Sequence, residues 1–320
     1  MRMKLTDRQM TPRKWAQALL VILAFFAIDF AVIYPFHRAY LLTHPYRHPV
    51  ELTEAQTGTP VERVTFQATD GVELVGWFVP NPASRATIIS SHGLGANGTG
   101  TWDAVQFLHD AGFNLFLFDH RGHGQSGGRF TTLGPLEVRD FLGAVDYVRS
   151  RPEVDSERIG AYGCSMGAGV VIGAAAQSPH IQAVVADSVF ADLGDVVRRM
   201  GTVWVRGSNL SFSWGQPMLW AAWLWTGQNL DAYEPVALIS RISPRPVLLI
   251  HGELDNGACT VANARALYAA AGEPTTLWIV PGAGHCEAHQ IASIEYEERV
   301  LATFRQLLPA GKGEECDCHR

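Results

Sequence analysis

The sequence predicts an α/β fold: a mostly parallel sheet of about eight strands with an inserted helical lid, preceded by one transmembrane helix. From residue 61 to residue 308, short apolar segments of strand character alternate with segments of helical spacing. This alternation is typical of a parallel sheet covered by helices on both faces. A tryptophan-rich stretch of about 60 residues interrupts it once and is far longer than an ordinary crossover. An apolar run of 22 residues, 15–36, stands near the N-terminus.

Composition limits the classes of function. The 320 residues are 47% hydrophobic, which is enough to build one large domain with a buried core. The formal net charge of −6 comes without a basic stripe, so the composition does not favour a nucleic acid as a partner. Five cysteines are an odd number in a long chain, and they do not form the pattern of a disulfide-stapled fold.

The apolar run 15–36 predicts a membrane-spanning helix. Before the exit at Tyr34-Pro35 its only polar residues are Gln17 and Asp29, and 22 residues are enough to cross a hydrocarbon core of about 30 Å. One acid, Asp7, stands among the basic residues before it, which are Arg2, Lys4, Arg8, Arg13 and Lys14. The positive-inside rule therefore places residues 1–14 in the cytoplasm and the rest of the chain on the extracytoplasmic side.

Two other interpretations of this run remain open. A cleaved signal peptide would use the apolar region Ala18 to Ile28, but no small-x-small cleavage site directly follows it. A buried helix of a globular protein is the third interpretation, and the basic flank disfavours it. We expect an uncleaved single-pass anchor, and therefore a membrane as a partner.

The rest of the chain divides into four parts. Residues 37–60 contain Pro45, Pro49 and Pro60 and predict a stalk, and residues 61–309 predict one domain with a lid at about 190–240. Residues 310–320 predict a flexible tail. An opening hairpin at Asp70-Gly71 predicts antiparallel strands at the start of the sheet. Strand candidates are residues 61–66, 72–79, 86–91, 113–118, 181–186, 247–250 and 276–280, with a further strand ending at Gly163.

The lid is the most aromatic part of the chain. Five of the nine tryptophans fall within Val203 to Trp225. One interpretation is that they pack the lid onto the domain, and the other is that they roof an acyl-binding pocket or enter the membrane interface. The residues predicted to contact substrate are Trp204, Trp214, Trp220 and Trp223.

Ser165 is the predicted nucleophile. The sequence Gly163-Cys164-Ser165-Met166-Gly167 stands between an apolar strand and a helix of small residues, which is the context of a nucleophile elbow. Glycines flank such a serine because a Cβ at either position would collide with the neighbouring strand or helix. The alternative, a tight turn with an idle serine, fits this context less well.

A serine hydroxyl needs a base and an orienting acid. His285 follows the strand candidate 276–280 and is the predicted base, while Asp255 follows the strand candidate 247–250 and is the predicted acid. Two other residues are alternatives for the acid. Glu253 stands two residues before Asp255, and Asp187 stands at the end of the preceding strand candidate, 181–186. The alternative for the base is His289.

The oxyanion hole is predicted from two backbone N–H groups. One belongs to Met166, which follows the nucleophile, and the other to Leu94 in the turn His92-Gly93-Leu94. A second glycine-rich loop contains Asp119 and Arg121, which we expect to fix a turn, and His92 and His123 are expected to hold loops at the top of the sheet.

Five ordered motifs together resemble the α/β-hydrolase superfamily. They are His92-Gly93, Asp119-x-Arg121-Gly122-x-Gly124-x-Ser126, Gly163-x-Ser165-Met166-Gly167, His251-Gly252-x-x-Asp255 and Gly284-His285. Within it, the chain is similar to the group of monoacylglycerol lipases, lysophospholipases and S33-type aminopeptidases. The resemblance implies the α/β-hydrolase fold, attack by Ser165 on a carbonyl carbon, an acyl-enzyme, and hydrolysis without a metal or an organic cofactor.

We expect a membrane-anchored serine hydrolase that cleaves carboxylic esters. Its substrate would be a small-molecule ester or an acyl lipid. A peptidase would use the same triad, with Arg198, Arg199 and Arg206 as candidates to bind a peptide terminus, and a non-catalytic binding protein is the third class. Cys259 and Cys286 follow the acid and the histidine closely, and a disulfide between them is a hypothesis for an extracytoplasmic domain. The cysteines of the tail 314–319 form a weak metal-binding pattern, which a disordered end explains better.

Overall fold

A computed structural model describes residues 11–204 and 210–308, and an eight-stranded sheet forms the centre of the fold. The strand order is β1-β2-β4-β3-β5-β6-β9-β10, and the prediction of a mostly parallel sheet is confirmed. Within this sheet, as far as the structure describes the chain, only the pairs β1–β2 and β2–β4 are antiparallel. The strands of this sheet are β1 (Glu62–Gln67), β2 (Glu73–Val79), β3 (Thr87–Ser91), β4 (Asn114–Phe118), β5 (Ile159–Cys164), β6 (Ile181–Asp187), β9 (Val247–Gly252) and β10 (Thr275–Val280).

Helices cover both faces of the sheet and give the domain two apolar core layers. One layer contains residues of α4 and α12, and the other contains residues of α5, α6 and α10. The strands β3, β4 and β9 are buried along their whole length, as expected for strands enclosed between two helical layers. The helices that follow β1 are α4 (Trp102–Asp110), α5 (Glu137–Arg149), α6 (Met166–Ala175), α7 (Leu193–Met200), α8 (Gly215–Thr226), α9 (Pro235–Leu238), α10 (Val261–Ala270), α11 (Ala288–Ile291) and α12 (Ser293–Phe304).

One long helical segment precedes the sheet. Helix α1 (Pro12–Ile28), a π-helical turn (Asp29–Ile33) and α2 (Tyr34–Thr43) follow one another without a break, and the short α3 is Glu54–Thr57. The π turn ends at Ile33, two residues before Pro35, whose ring and missing N–H do not fit a regular α-helix interior. The segment is long and apolar enough to cross a bilayer, as a membrane anchor or a signal sequence would be.

The stalk therefore begins later than the sequence predicts. Residues 37–43 were expected to be irregular, but α2 extends to Thr43 and ends before Pro45. The physical reason is tertiary packing, because Pro35, Ala39, Leu42 and Thr43 are buried. After the helix, Arg47 donates hydrogen bonds to the carbonyls of Ser126 and Gly128, which holds the segment on the surface of the domain.

The lid lies between β6 and β9. It contains α7, α8 and α9 and a small hairpin formed by β7 (Thr202–Trp204) and β8 (Ser211–Ser213). Helix α8 packs against both α7 and α2. The indole N–H of Trp225 donates to Thr43 Oγ1 at 2.9 Å, and the ring of Trp214 lies edge-on to Phe30 at 4.8 Å. The lid thus joins the N-terminal helix to the domain.

Candidate active site

Ser165 lies at a sharp turn between β5 and α6. Its backbone has φ 57° and ψ −117°, a combination that non-glycine residues rarely adopt. The turn leaves no space for side chains at its flanks: a Cβ on Gly163 would come 2.3 Å from the Gly167 carbonyl oxygen, and one on Gly167 would come 2.1 Å from the Ser91 carbonyl oxygen. The two glycines allow the tight turn that presents the serine hydroxyl at the carboxyl end of the sheet.

The serine, the histidine and one aspartate form a continuous hydrogen-bonded chain. The Oγ of Ser165 is 2.8 Å from Nε2 of His285, and Nδ1 of His285 is 2.6 Å from Oδ2 of Asp255. Asp255 is buried, while the His285 side chain is partly exposed. The hydrogen bond to Asp255 raises the pKa of His285 above its ordinary value, and burial opposes this rise. This is the geometry of a nucleophile, a base and an orienting acid.

The alternatives for the acid and the base lie in other environments. Glu253 is exposed and accepts the Gly282 N–H at 3.1 Å, so its carboxylate is used in a loop contact. His289 belongs to α11, and its ring packs at 6.0 Å from the ring of Tyr296. Asp187 ends β6 and is fully buried, but its Oδ1 accepts the Ser188 hydroxyl. Of these acids, only Asp255 is hydrogen-bonded to His285 among the described residues.

Asp187 nevertheless contributes to the same site. Its carbonyl accepts the N–H of Ser165 at 2.9 Å, and Ser188 Oγ accepts the N–H of Cys286 at 2.9 Å. Burial raises the pKa of Asp187 to about 7, and its Oδ2 has no hydrogen-bond partner among the described residues. The pair Asp187–Ser188 thereby connects the backbone of the nucleophile to the turn that carries the base.

The two predicted oxyanion donors border the nucleophile. Met166 is the first residue of α6, and its N–H belongs to the first turn, where the regular bond to a carbonyl four residues earlier is not formed. Leu94 follows Gly93, at which a Cβ would lie 3.4 Å from the Ser165 Cβ. Three buried histidines surround this turn: His92 Nε2 accepts the His120 N–H at 3.0 Å, and His123 Nε2 accepts the Gly95 N–H at 3.1 Å. Burial lowers the pKa of His123 to about 4, which keeps its ring a neutral acceptor.

The loop after β4 supports the same region through buried polar contacts. Asp119 accepts the N–H groups of Gly98 and Gln125, each at 2.7 Å. The guanidinium of Arg121 donates to Asp140 at 2.8 Å and to Asp70 at 2.8 and 2.9 Å. Asp119 and Arg121 thus fix the loop rather than face a substrate.

Two cavities meet at Ser165. The first has a volume of about 340 Å³ and is lined mainly by apolar side chains, among them Leu133, Phe190, Leu193, Val196 and Met200. The second has a volume of about 260 Å³ and is lined by more polar groups, including His92, Thr101, Tyr162 and His289. Leu94, Ser165 and His285 border both cavities.

The structure does not place Trp214, Trp220 or Trp223 in the lining of either cavity, although the sequence predicts that they contact substrate. The lid residues of the first cavity come from α7, whereas Trp220 and Trp223 on α8 are 63% and 55% exposed. Trp214 packs against Phe30 of the N-terminal helix. The reason is that α8 lies between α7 and α2, so its rings face α2 or solvent. The Trp204 side chain and Arg206 lie outside the described residues.

The expected disulfide is also different. Cys286 is paired with Cys164, with a Cα–Cα distance of 6.3 Å, and Cys259 is a buried free thiol on the wall of the first cavity. The sequence proposes Cys259 as the partner of Cys286 and does not indicate the pairing with Cys164. Its signal was that each cysteine adjoins a predicted catalytic residue, Ser165 or His285.

Within the described residues, no group of three or more His, Cys, Asp or Glu side chains is placed to hold a metal ion. The cysteine-containing tail 314–319 lies outside these residues.

The chain is similar to several known proteins. The sequence pattern of the prolyl oligopeptidase family (Peptidase_S9) matches residues 101–309. The uncharacterised protein YfhR of Escherichia coli O157:H7 is 34% identical over 235 residues, which are 71% of this chain and 74% of YfhR. The uncharacterised protein Rv2307c of Mycobacterium tuberculosis is 30% identical over 227 residues, or 69% of this chain and 71% of its own length. The esterase Pf2001 of Pyrococcus furiosus superposes with a TM-score of 0.69 at 25% identity, covering 84% of this chain and 99% of the esterase.

Proposed function

Because the chain belongs to the prolyl oligopeptidase family, within the α/β-hydrolase fold, we propose that it is a membrane-anchored serine hydrolase of carboxylic esters with lipid-like acyl groups. The observation that carries the proposal is the Ser165–His285–Asp255 chain at the junction of the two cavities. The similarity to the esterase Pf2001 favours ester hydrolysis.

The mechanism follows from the hydrogen bonds. His285 Nε2 takes the proton of Ser165 while Oγ attacks the carbonyl carbon, and Asp255 stabilises the imidazolium that forms. The N–H groups of Met166 and Leu94 would stabilise the oxyanion. His285 then protonates the leaving alcohol, and an acyl-enzyme remains. A water molecule, deprotonated by His285, attacks the acyl carbon, and His285 then donates that proton to Ser165 Oγ as the ester bond to the serine breaks and the acid leaves. Each proton transfer is assigned to a side chain, so the mechanism uses no metal or organic cofactor.

The cavities support an assignment of the two halves of the substrate. The first cavity has an apolar wall formed by α7 and by Leu133 and Phe190, which suits an acyl chain. The second cavity is lined by more polar residues, among them Thr101, His92 and His289, which suit a more polar leaving group. We therefore place the acyl group in the first cavity and the alcohol in the second.

The N-terminal helix supports the membrane assignment. Every side chain of α1 is exposed or only partly buried, so the described residues leave its apolar side chains largely uncovered. The basic residues before it favour a cytoplasmic N-terminus and an extracytoplasmic catalytic domain. The Cys164–Cys286 disulfide supports the same compartment, because such bonds persist where the environment is oxidising.

The alternative function is a peptidase or amidase, and the family match favours it specifically. A peptidase that binds a peptide terminus requires a charged group at the site. Of the arginines considered, Arg198 is already paired with Asp231 at 2.6 Å and Asp195 at 3.2 Å. A non-catalytic binding protein would have no use for a complete Ser165, His285 and Asp255 chain.

The test is labelling of the full chain with a fluorophosphonate probe, comparing wild type with Ser165→Ala. We expect labelling of wild type and its complete loss in Ser165→Ala, because only an activated serine reacts with the probe. Competition with matched acyl esters and amides then separates the two enzyme classes. Amides that compete better than esters would support the peptidase, and a folded wild type that is not labelled would contradict both.

A further inference from the structure

We propose that the Cys164–Cys286 disulfide is a positioning element of the active site, which holds the nucleophile and the base at reacting distance. Its reduction should lower turnover without unfolding the protein. The inference rests on the proposed function, because it concerns the geometry of the same catalytic pair.

The placement of the two cysteines carries the argument. Cys164 directly precedes Ser165 at the end of β5, and Cys286 directly follows His285. The cysteines are separated by 122 residues in sequence, yet their Cα atoms are 6.3 Å apart. The disulfide and the Ser165–His285 hydrogen bond therefore close one small ring. Any movement that separates the serine from the histidine must also displace the covalent bond.

Hydrogen bonds hold the turn that carries His285, among them those of Asp255 to His285 and of the Cys286 N–H to Ser188, and the disulfide adds a covalent link from this turn to the end of β5. Ser165, Ser188 and Cys286 have φ values of 57°, 55° and 57°. Non-glycine residues keep such a backbone only where their surroundings hold it. The disulfide supplies a covalent part of that constraint.

The bond can be reached from the active site. Both cysteines line the second cavity together with Ser165 and His285, and both are only partly buried, so we expect a small dithiol that enters this cavity to reach the disulfide. A thiolate of the dithiol attacks one sulfur, and its second thiolate resolves the mixed disulfide. Two electrons and two protons pass to the protein, which gains two thiols, while the reagent becomes a cyclic disulfide.

Cys259 is a separate thiol. It lies on the wall of the first cavity and is 4% exposed, and burial raises the pKa of its thiol to about 12. At neutral pH it is protonated and therefore a poor partner for exchange. An effect of dithiothreitol on activity can therefore be assigned to the Cys164–Cys286 disulfide rather than to Cys259.

The experiment measures ester hydrolysis by the full chain in the oxidised form, after treatment with dithiothreitol, and after reoxidation. Reduction should lower kcat by about 10- to 100-fold, as expected when reacting groups lose their alignment, with a smaller change in KM. The rate of fluorophosphonate labelling should fall in parallel, and reoxidation should restore both. Circular dichroism at the assay temperature establishes that the reduced protein is folded, and alkylation with mass analysis establishes that Cys164 and Cys286 are open.

Two variants serve as matched controls. Cys164→Ala/Cys286→Ala should have the kcat of the reduced protein and no response to dithiothreitol, whereas Cys259→Ala should keep the response. If the double variant does not fold, the reduction series on wild type decides alone.

An unchanged kcat in protein shown to be reduced and folded would overturn the proposal, even if the midpoint of thermal unfolding falls, because the bond would then only stabilise the fold. Absence of labelling in the oxidised wild type would instead contradict the proposed function.

Discussion

His285 is the residue on which the pH dependence of the site depends. Its pKa is raised mainly by the hydrogen bond from Nδ1 to Asp255, and only its neutral form accepts the serine proton. We therefore expect kcat/KM for an ester to fall as pH decreases through a pKa above the ordinary value of 6.5. The measurement is a pH profile of kcat/KM with one activated ester.

The matched variant for this prediction is Asp255→Asn. Because the amide does not stabilise an imidazolium, we expect kcat to fall by a factor on the order of 10³–10⁴. The decrease of kcat/KM on the acidic side of the pH profile should also move to lower pH, because the substitution removes the main cause of the raised pKa of His285. A decrease that stays at the same pH in Asp255→Asn would mean that another group controls it.

At this scale the sequence predicts types of residue better than their pairings. The order Ser, Asp, His along the chain leads to Ser165, Asp255 and His285, and the structure brings these three side chains together. The chemistry of the residues did not separate Asp187 from Asp255, because both are aspartates at the carboxyl edge of the sheet, one at the end of β6 and the other in the loop after β9. The distinction is tertiary: the Asp187 carboxylate is turned into the core and accepts the Ser188 hydroxyl. The partner of Cys286 was likewise hidden, because it stands 122 residues away.

At the scale of the elements, the strands follow from local patterns. Apolar runs predict six of the eight strands of the main sheet to within a few residues, and the alternating residues around Asp70-Gly71 predict β1 and β2. The helices at the edge of the domain do not follow in this way. Where α2 ends and which lid helix covers the cavity depend on packing between α2, α8 and α7. The tryptophans of α8 gave an aromatic signal, but the lid residues that line the cavity are Leu193, Val196 and Met200 of α7.

The nucleophile elbow is an element whose geometry makes a sharp prediction. Gly167→Ala places a Cβ 2.1 Å from the backbone oxygen of Ser91, and neither backbone can move without breaking the sheet or α6. We expect a loss of about 3 kcal/mol or more in the free energy of unfolding, at the upper end of overpacking effects. Urea unfolding followed by circular dichroism measures it.

Gly100→Ala is the control for that measurement. A Cβ at Gly100 would have only Asn97 Oδ1 within 4 Å, at 3.6 Å, and the position is in a short helical turn. We expect its free energy of unfolding to change by less than about 1 kcal/mol. Equal effects of the two substitutions would mean that the turn after β5 relaxes more easily than its contacts indicate.

In the molecule as a whole, the lid connects the long apolar N-terminal helical segment to the α/β-hydrolase domain. Helix α2 is the joint, since its buried residues contact α8 and Thr43 accepts the Trp225 indole N–H. The segment before it, α1, contributes no buried residue to the domain. The two parts of this continuous helical segment therefore differ in burial. We propose that α1 inserts into the membrane and that α2 stabilises the lid.

Two truncations separate these roles. A chain that begins at Tyr34 loses α1 and the π turn but keeps the docked helix, so we expect it to leave the membrane fraction and to retain ester hydrolysis. A chain that begins at His44 also loses Ala39, Leu42 and Thr43, and exposes the apolar face of α8 that α2 covers. We expect its midpoint of thermal unfolding to fall by several degrees, about what 1–2 kcal/mol removes in a domain of this size.

The full-length chain is the reference for both truncations. It should resist extraction from membranes by alkaline carbonate, because an uncleaved helix of this length and apolarity stays in the bilayer. Intact mass then decides between the two origins of the helix. A mass that includes residues 1–33, in a protein that remains with the membrane, supports an anchor. A mature protein that lacks them and is released as a soluble enzyme would show that the same helix serves as a signal sequence.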